Sequence, residues 1–333
     1  MFAHILRSLA PAAIFFAAAF PLTASSLVQD PAPALQDVAT SKTVPHQESP
    51  KHAFVWMIEK KGHKPSFLFG TMHAGEKRFL KFNDTVKVMF KVADAVYTEL
   101  EMDKLDEIQG QMASAFRLPA GKTLSDYVAP DVMDKMEKIF KGYGMPIGLL
   151  QGMRPVVVGM QLELMPLQEK YGAATALDQK IYEAAKRAGK EVGGIEVVEE
   201  QLAAFNALTD EEAGQALRKQ VDRILKDQAE GRDRMEELVN YYLLGDEKRI
   251  YGYMMEEYDP TDPLDVKSMD ALLTKRNIHM AERVTKRILD NPDKIYVFAF
   301  GALHFIGPDN VGSKLSNAGF KVTRLTAPPA PKK

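Results

Sequence analysis

Two histidines lie in the same local pattern, near opposite ends of the chain. The segments FLFGTMH, residues 67–73, and FAFGALH, residues 298–304, each contain an apolar run, a glycine, two further residues and a histidine. Seven histidines and 22 glycines in 333 residues predict about half of one G-x-x-H motif by chance, so a pair of them is informative. Because imidazole binds divalent metals and transfers protons near neutral pH, His73 and His304 are candidate site residues.

Two carboxylates follow other short apolar runs. Glu99 lies in YTELEMD and Glu196 in GGIEVVEEQ. Two imidazoles with one or two carboxylates suit a divalent ion such as Mn, Co, Fe or Zn, and leave a carboxylate that could act as general base. A bound water at such an ion has a lowered pKa. Two alternatives stay open: a histidine at a strand end can be a hydrogen-bonded structural residue, and Glu196 can cap the helix that follows it.

The apolar runs predict the strands that would position these side chains. Residues 52–60 and 66–71 form a predicted hairpin with turn residues Gly62 and Pro65, and Asn83 is a predicted helix cap. Further strands are predicted over 94–103, 190–196, 294–300 and KVTRLT, with helical patterns between them. The sequence therefore predicts an α/β fold with a mixed central sheet, surrounding helices and a large helical insertion between the G-x-x-H strands.

The predicted sheet brings the candidate residues to one edge. In open α/β sheets, ligands bind outside the carboxyl ends of the strands, and all four candidates follow such an end. The glycine of each motif would permit either a tight turn or a close backbone approach. We therefore expect His73, Glu99 and His304 to form a metal site, with Glu196 as a further ligand or the general base.

Composition excludes several classes of function. The 43 basic and 45 acidic residues give a formal charge of −2, so nucleic acid is not an expected partner. The absence of cysteine excludes disulfides, thiolate ligands and a cysteine nucleophile. No G-x-S-x-G, H-E-x-x-H, Walker or G-x-G-x-x-G motif is present, so the common hydrolase and nucleotide-binding signatures are missing.

The N-terminal residues have the layout of a secretory signal. Residues 1–26 join a short segment carrying Arg7 to an apolar stretch and then small residues, and 27–51 read as a flexible leader. This predicts a periplasmic or secreted protein, favours a bacterial periplasm, and leaves no stable membrane span after cleavage. The alternative is an uncleaved anchor in the inner membrane. The domain would span 52–326, with 197–290 mainly helical, before a tail at 327–333.

These motifs resemble the TraB/GumN family, which includes the Tiki metalloproteases. Besides GTMH and GALH, the segments around Glu99 and Glu196 resemble the family's glutamate segments, the second also including Gln201. An Arg-Pro step, an aspartate and an Arg-Asn pair follow the family order; here they are Arg154-Pro155, Asp178 and Arg276-Asn277. Ala176 stands where the family has a glycine, a departure that bears on Asp178.

The resemblance implies an α/β domain and, for the Tiki members, metal-dependent peptidase activity. The expected function is thus a secreted metal-dependent hydrolase acting on peptides or proteins through His73, His304 and Glu99. In it Arg276 would neutralise a developing oxyanion or a substrate carboxylate. The alternative is a periplasmic binding protein that captures a peptide, a metal or haem in the same cleft without turning it over.

Overall fold

The computed structural model describes residues 53–72, 76–171 and 176–326, and these form an α/β fold around one mixed sheet. The six strands lie in the order β4-β3-β5-β2-β1-β6. They are β1 Val55–Glu59, β2 Ser66–Thr71, β3 Ala95–Thr98, β4 Glu191–Gly194, β5 Tyr296–Gly301 and β6 Lys321–Arg324. The predicted fold class is confirmed. His73 and the predicted signal, leader and tail lie outside the described residues.

Four neighbouring strands run parallel. β5 pairs in parallel with β2 on one side and β3 on the other, and β3 pairs in parallel with β4. β1 is antiparallel to both β2 and β6, and the predicted hairpin between β1 and β2 contains Gly62 at a φ of 81°. The carboxyl ends of β2, β3, β4 and β5 therefore meet at one edge of the sheet, as the position of a ligand site requires.

Helices fill the connections between these strands. After β2 comes α1 Asp84–Val92, which Asn83 caps as predicted by accepting the Val86 N–H. Between β3 and β4 lie α2 Leu105–Ala115, α3 Pro130–Gly142, α4 Pro155–Tyr171 and α5 Leu177–Arg187. Between β4 and β5 lie α6 Val198–Phe205, α7 Asp210–Glu230, α8 Arg234–Leu244, α9 Glu247–Met255, α10 Pro263–Met269 and α11 Lys275–Asp290. After β5 comes α12 Val311–Asn317. Within the described ranges, no helix is both long and apolar enough to cross a membrane.

Short 3₁₀ and π-helical turns lie between these elements. The 3₁₀ turns are Lys77–Leu80, Met102–Lys104, Leu124–Asp126, Ile147–Leu150 and Ala302–Phe305. A π-helical turn, Asp270–Thr274, joins α10 to α11. The large helical insertion predicted between the two G-x-x-H strands is thus present, and over the residues that the structure describes β3 and β4 are the strands that interrupt it.

The buried apolar side chains form two clusters. The first surrounds the sheet and includes Tyr97 and Ile195, and the second lies among the helices and includes Leu100 and Val198. Along the chain, Glu99 lies between Tyr97 of the sheet cluster and Leu100 of the helical cluster. Glu196 likewise lies between Ile195 of the sheet cluster and Val198 of the helical cluster. The two glutamates are therefore held where two apolar cores meet, and both are almost fully buried.

Gly70 shows which property of the first motif's glycine matters. It lies inside β2, where a Cβ atom would come within 2.7 Å of Phe54 Cβ and 3.2 Å of Ala302 Cα. Its backbone does not take the positive φ that a glycine turn would need. Of the two expected roles, the structure shows close approach: Phe54, just before β1, and Ala302, at the start of the 3₁₀ turn after β5, pack directly against Gly70.

We expect Gly70→Ala to lower the free energy of unfolding by about 1–3 kcal/mol, because a methyl group there forces packed backbone apart. Urea unfolding followed by circular dichroism measures the change. Gly110→Ala is the matched control, since a Cβ at this helical glycine would meet no atom within 4 Å. The control should be neutral or stabilising by up to about 1 kcal/mol. Equal effects of the two substitutions would contradict the packing argument.

Candidate active site

Four of the predicted site residues converge at the carboxyl edge of the sheet. Glu99 directly follows β3, Glu196 lies two residues after β4, and His304 lies in the 3₁₀ turn Ala302–Phe305 after β5. Arg276, in the first turn of α11, reaches them from the helical side. Their exposed fractions are 1%, 5%, 0% and 2%, respectively. The strand predicted over 94–103 ends at Thr98. Glu99 therefore lies outside the strand, and its side chain need not follow the alternation of side chains between the two faces of the sheet.

Arg276 joins the two glutamates. Its Nε donates to Glu196 Oε1 at 2.8 Å, and its Nη2 donates to Glu196 Oε2 at 2.5 Å and to Glu99 Oε2 at 2.8 Å. Gln201 Nε2 donates to Glu196 Oε2 at 3.2 Å, so the family-like Gln201 also belongs to the site. Bidentate guanidinium binding of this kind fixes both the distance and the plane of a carboxylate.

The second G-x-x-H motif contacts Glu99 at both of its ends. The Gly301 N–H donates to Glu99 Oε1 at 2.7 Å, and His304 Nε2 lies 3.8 Å from the same oxygen. This follows from the sheet order, because β3 and β5 are neighbours and Thr98 pairs with Ala299. The spacing between glycine and histidine thus brings a backbone donor and an imidazole to one carboxylate.

Asn277 contacts the other side of the His304 ring. Its Oδ1 lies 2.7 Å from His304 Nδ1, and its Nδ2 donates to the Asp309 carbonyl at 2.9 Å. Asn277 is 3% exposed. Both residues of the Arg-Asn pair therefore contact the site, Arg276 through the glutamates and Asn277 through His304. The sequence resemblance assigned no such contact to Asn277.

Residues from two helices hold the strand end that leads into the first motif. The Thr71 hydroxyl donates to Asp178, which is buried at the start of α5, and the Tyr242 hydroxyl of α8 donates to the Gly70 carbonyl at 2.7 Å. Asp178 thus contacts this motif despite Ala176 in place of glycine. Sequence reasoning missed Tyr242, because 172 residues separate it from Gly70 and no local pattern connects them.

Arg154, also part of the family resemblance, belongs to another part of the molecule. It precedes α4, and its guanidinium donates to Asp210 Oδ1 at 2.7 Å and to Asn206 Oδ1. Pro155 occupies the first position of that helix, where a missing N–H costs nothing. These contacts connect α4 to α7, so the Arg-Pro step supports the helical part and does not contact the four converging residues.

Burial and charge act in opposite directions on the glutamates and arginine. Burial raises the pKa of Glu196, and the neighbouring Arg276 guanidinium only partly opposes this rise. For Arg276, burial disfavours the charge, but the Glu196 and Glu99 carboxylates outweigh burial and raise its pKa. Since one guanidinium faces two carboxylates, the cluster carries an excess of negative charge when all three groups are ionised. Such a cluster attracts a cation or a proton.

The described part of this site fits a divalent metal ion by its donor chemistry. Imidazole nitrogen and carboxylate oxygen are ligands of Zn and its neighbours, and two bonds of about 2.0–2.2 Å can span the 3.8 Å between His304 Nε2 and Glu99 Oε1. Over the same described residues there is no group of three or more His, Cys, Asp or Glu side chains placed to hold a metal. The third predicted ligand, His73, lies outside those residues.

A separate cavity of about 480 Å³ lies in the helical part, between α4, α7 and residues 231–235. Glu99, Glu196, Arg276 and His304 are not among its lining residues. Its buried charges pair with each other: Arg223 binds Glu163, and its Nη1 donates to Asp227 at 3.3 Å. The Arg223–Glu163 pair joins α7 to α4, and the cavity is distinct from the site at the sheet edge.

Comparisons with known proteins find similar sequences among the TIKI metalloproteases. The chain is 26% identical over 321 residues to Metalloprotease TIKI1 of Danio rerio, a match that covers 84% of this chain and 64% of the relative. It is 25% identical over 323 residues to Metalloprotease TIKI1 of Homo sapiens, covering 84% and 63%, and 25% identical over 326 residues to Metalloprotease TIKI2 of Xenopus tropicalis, covering 85% and 62%. The chain thus spans slightly under two thirds of these relatives. No solved structure gives a significant match.

The family model of TraB/PrgY/gumN matches residues 54–324. This range begins just before β1 and ends with β6, and it includes both G-x-x-H motifs, both glutamates and the Arg-Asn pair. The match covers most of the sequence and all six strands, so the chain belongs to the TraB/PrgY/gumN family.

Proposed function

We propose that this protein is a metal-dependent hydrolase of the metallopeptidase type that acts on peptides or proteins. The observation that carries the proposal is the buried convergence of His304, Glu99, Arg276 and Glu196 at one edge of the sheet. The TIKI relatives are named metalloproteases, which supports a peptide or protein as the substrate. The relatives extend beyond the matched region, so their activity enters here as a proposal for this chain.

Each residue of the cluster has a proposed role that its contacts support. His304 and Glu99, together with His73, would hold a divalent ion of the Mn, Co, Fe or Zn class, which when bound supplies a Lewis acid that activates water. Glu196, whose pKa burial raises, would accept the proton from the attacking water. Arg276 holds Glu99 and Glu196 next to each other. Its positive charge would stabilise the negative charge that develops on the substrate carbonyl.

Export is part of the proposal. The apolar stretch within residues 1–26 supports secretion, and a chain of this size without cysteine can rely on its apolar core in a periplasm. A peptide hydrolase in that compartment would meet extracytoplasmic substrates. Mass spectrometry of the mature protein from a periplasmic fraction would test the proposal, and a chain that keeps Met1 in a membrane fraction would instead support the anchored alternative.

The metal component of the proposal predicts one divalent ion per chain. After loading with Mn, Co or Zn and removal of excess metal, elemental analysis should find this ion in the wild type. His304→Ala should lose it, because one imidazole ligand is removed. His279→Ala is the matched control: this histidine is exposed on α11, and its Nδ1 lies 3.3 Å from Glu200 Oε1. No bound metal in the wild type, or equal metal in both variants, would contradict the proposal.

A binding protein without turnover is the second candidate function, and one observation favours it. The Arg276 donors already bind the two glutamates and, through Nη1 at 3.3 Å, the Leu272 carbonyl. A guanidinium occupied in this way fixes the two glutamates in place, as a binding site needs. Glu196 would accept a proton in a hydrolase but not in a binding protein. Replacing Glu196 therefore separates the two functions.

A further inference from the structure

The orientation of the Asn277 side chain follows from its two contacts. Its Nδ2 donates to the Asp309 carbonyl at 2.9 Å, and its Oδ1 lies 2.7 Å from His304 Nδ1. Turning the amide by half a rotation would place Oδ1 against the Asp309 oxygen, and two acceptors repel. Asn277 therefore presents its oxygen to the histidine, and because that oxygen can only accept, His304 Nδ1 must carry the proton.

A proton on Nδ1 determines the chemistry of the other ring nitrogen. In a neutral imidazole only one nitrogen bears a hydrogen, so His304 Nε2 keeps its lone pair. Nε2 is also the atom on the Glu99 side of the ring, 3.8 Å from Glu99 Oε1. The hydrogen bond to Asn277 thus directs the basic nitrogen of His304 to the carboxylate that the site would share with a metal.

The local helix geometry places Asn277 where it can do this. Arg276 and Asn277 are consecutive in α11, and successive side chains on a helix point about 100° apart. Arg276 accordingly reaches the ends of β3 and β4, whereas Asn277 reaches the loops after β5. The π-helical turn Asp270–Thr274 leads directly into this segment, and such turns are frequent at functional sites.

We propose that Asn277 is a positioning residue that holds His304 as the Nδ1-protonated tautomer, so that Nε2 is the nitrogen offered to a divalent metal ion. The part concerning metal binding rests on the proposed function, but the tautomer itself does not. Partners of a ligating imidazole's second nitrogen commonly change metal affinity by about 10–100-fold when removed. The proposal makes this chain's Asn277 such a partner.

The test is the ¹⁵N spectrum of histidine-labelled, metal-free protein at a pH where His304 is neutral, with His304→Gln used to assign its signals. The expected result is a protonated Nδ1 and a non-protonated Nε2 in the wild type. Asn277→Leu, which removes the acceptor, should shift His304 toward the Nε2-protonated tautomer or a mixture. Asn277→Asp loses the bond to the Asp309 carbonyl but keeps an acceptor for the ring, so Nδ1 should stay protonated. A protonated Nε2 in the wild type would overturn the proposal without any variant.

Metal titration separates this proposal from the proposed function. Zn affinity should fall about 10–100-fold in Asn277→Leu and recover in Asn277→Asp, while the exposed His279→Asn control stays unchanged. If the tautomer shifts as expected but the wild type binds no metal, the positioning role stands and the metal-dependent function fails. An unchanged His304 tautomer in a folded Asn277→Leu protein would overturn the positioning role, whatever the metal affinity.

Discussion

Replacing Arg276 by methionine is expected to lower the free energy of unfolding by about 3–5 kcal/mol, because the change leaves two buried carboxylates without their cation. Glu99 and Glu196 are 1% and 5% exposed, so water cannot replace the lost guanidinium. Chemical unfolding at pH 7.5 measures the loss. Lys275→Met, one residue earlier, is the matched control, since its partner Asp270 is on the surface and such pairs contribute less than about 1 kcal/mol.

Removing the carboxylate charges as well should restore much of this stability. In a triple variant that adds Glu99→Gln and Glu196→Gln to Arg276→Met, no buried charge remains unpaired, and replacing a whole buried ion cluster is far less costly than breaking it. The comparison isolates electrostatics from the lost packing of the arginine side chain. If the triple variant is no more stable than Arg276→Met alone, packing and not charge explains the loss.

The cost of losing Arg276 should also depend on pH. Without the guanidinium, burial raises the pKa of Glu196 with less opposition, so the folded-state pKa of this carboxyl lies above its unfolded value near 4.5. Groups with a raised folded pKa keep their contribution to stability below the unfolded pKa and lose it as the pH rises through the folded pKa. We therefore expect Arg276→Met to be less destabilised at pH 5 than at pH 8, whereas a loss that is constant with pH would contradict the charge argument.

The sequence sufficed to predict the edge where the site lies. Apolar runs predict buried strands, and parallel strands bring their carboxyl ends together, so Glu99, Glu196 and His304 were expected at one place and lie there. The strand predicted over 94–103 was too long, since β3 ends at Thr98 and Glu99 leaves the sheet. The prediction was too long because strand propensity does not account for tertiary packing. Leu100 packs into the helical cluster instead of continuing the strand.

The contacts that assemble the site could not be predicted in the same way. Arg276 is 177 residues from Glu99 and 80 from Glu196, and Tyr242 is 172 residues from Gly70. Each pair joins a helix to a strand end, and such distant pairs leave no periodic pattern in one sequence. The insertion of β5 between β2 and β3 is equally a tertiary property, yet it determines that His304 faces Glu99.

Glu196→Gln is expected to lower kcat/KM for peptide hydrolysis by about 10²–10⁴-fold, the usual contribution of a general base. The substitution removes the proposed proton acceptor but keeps the size of the side chain and one hydrogen bond from Arg276. Because Glu196 is not among the proposed metal ligands, metal content should stay at the wild-type level. Rates with a peptide library, metal content and the circular dichroism spectrum, measured on one preparation, check all three expectations.

Glu199→Gln is the control for loss of a nearby negative charge, since Glu199 is exposed three residues along the chain. Glu99→Gln provides the contrast: a weaker metal ligand should lower metal content and activity together. A Glu196→Gln enzyme with wild-type rates would remove Glu196 from the chemistry and leave it the task of fixing Arg276. If the metal-loaded wild type cleaves no peptide while Glu196→Gln retains wild-type ligand affinity, the binding function is favoured.

Whether Glu196 can act as a base depends on its hydrogen bonds from Arg276. If Arg276 keeps both Glu196 oxygens bound, as at 2.8 and 2.5 Å here, the carboxylate cannot take a proton without giving up a strong hydrogen bond. A substrate carbonyl or carboxylate that draws the guanidinium away would free Glu196 and raise its proton affinity at the same moment, because burial then dominates. The proposed catalysis would therefore require that the substrate compete with Glu196 for Arg276, and a substrate analogue with a carboxylate should bind more weakly to Arg276→Lys than to the wild type.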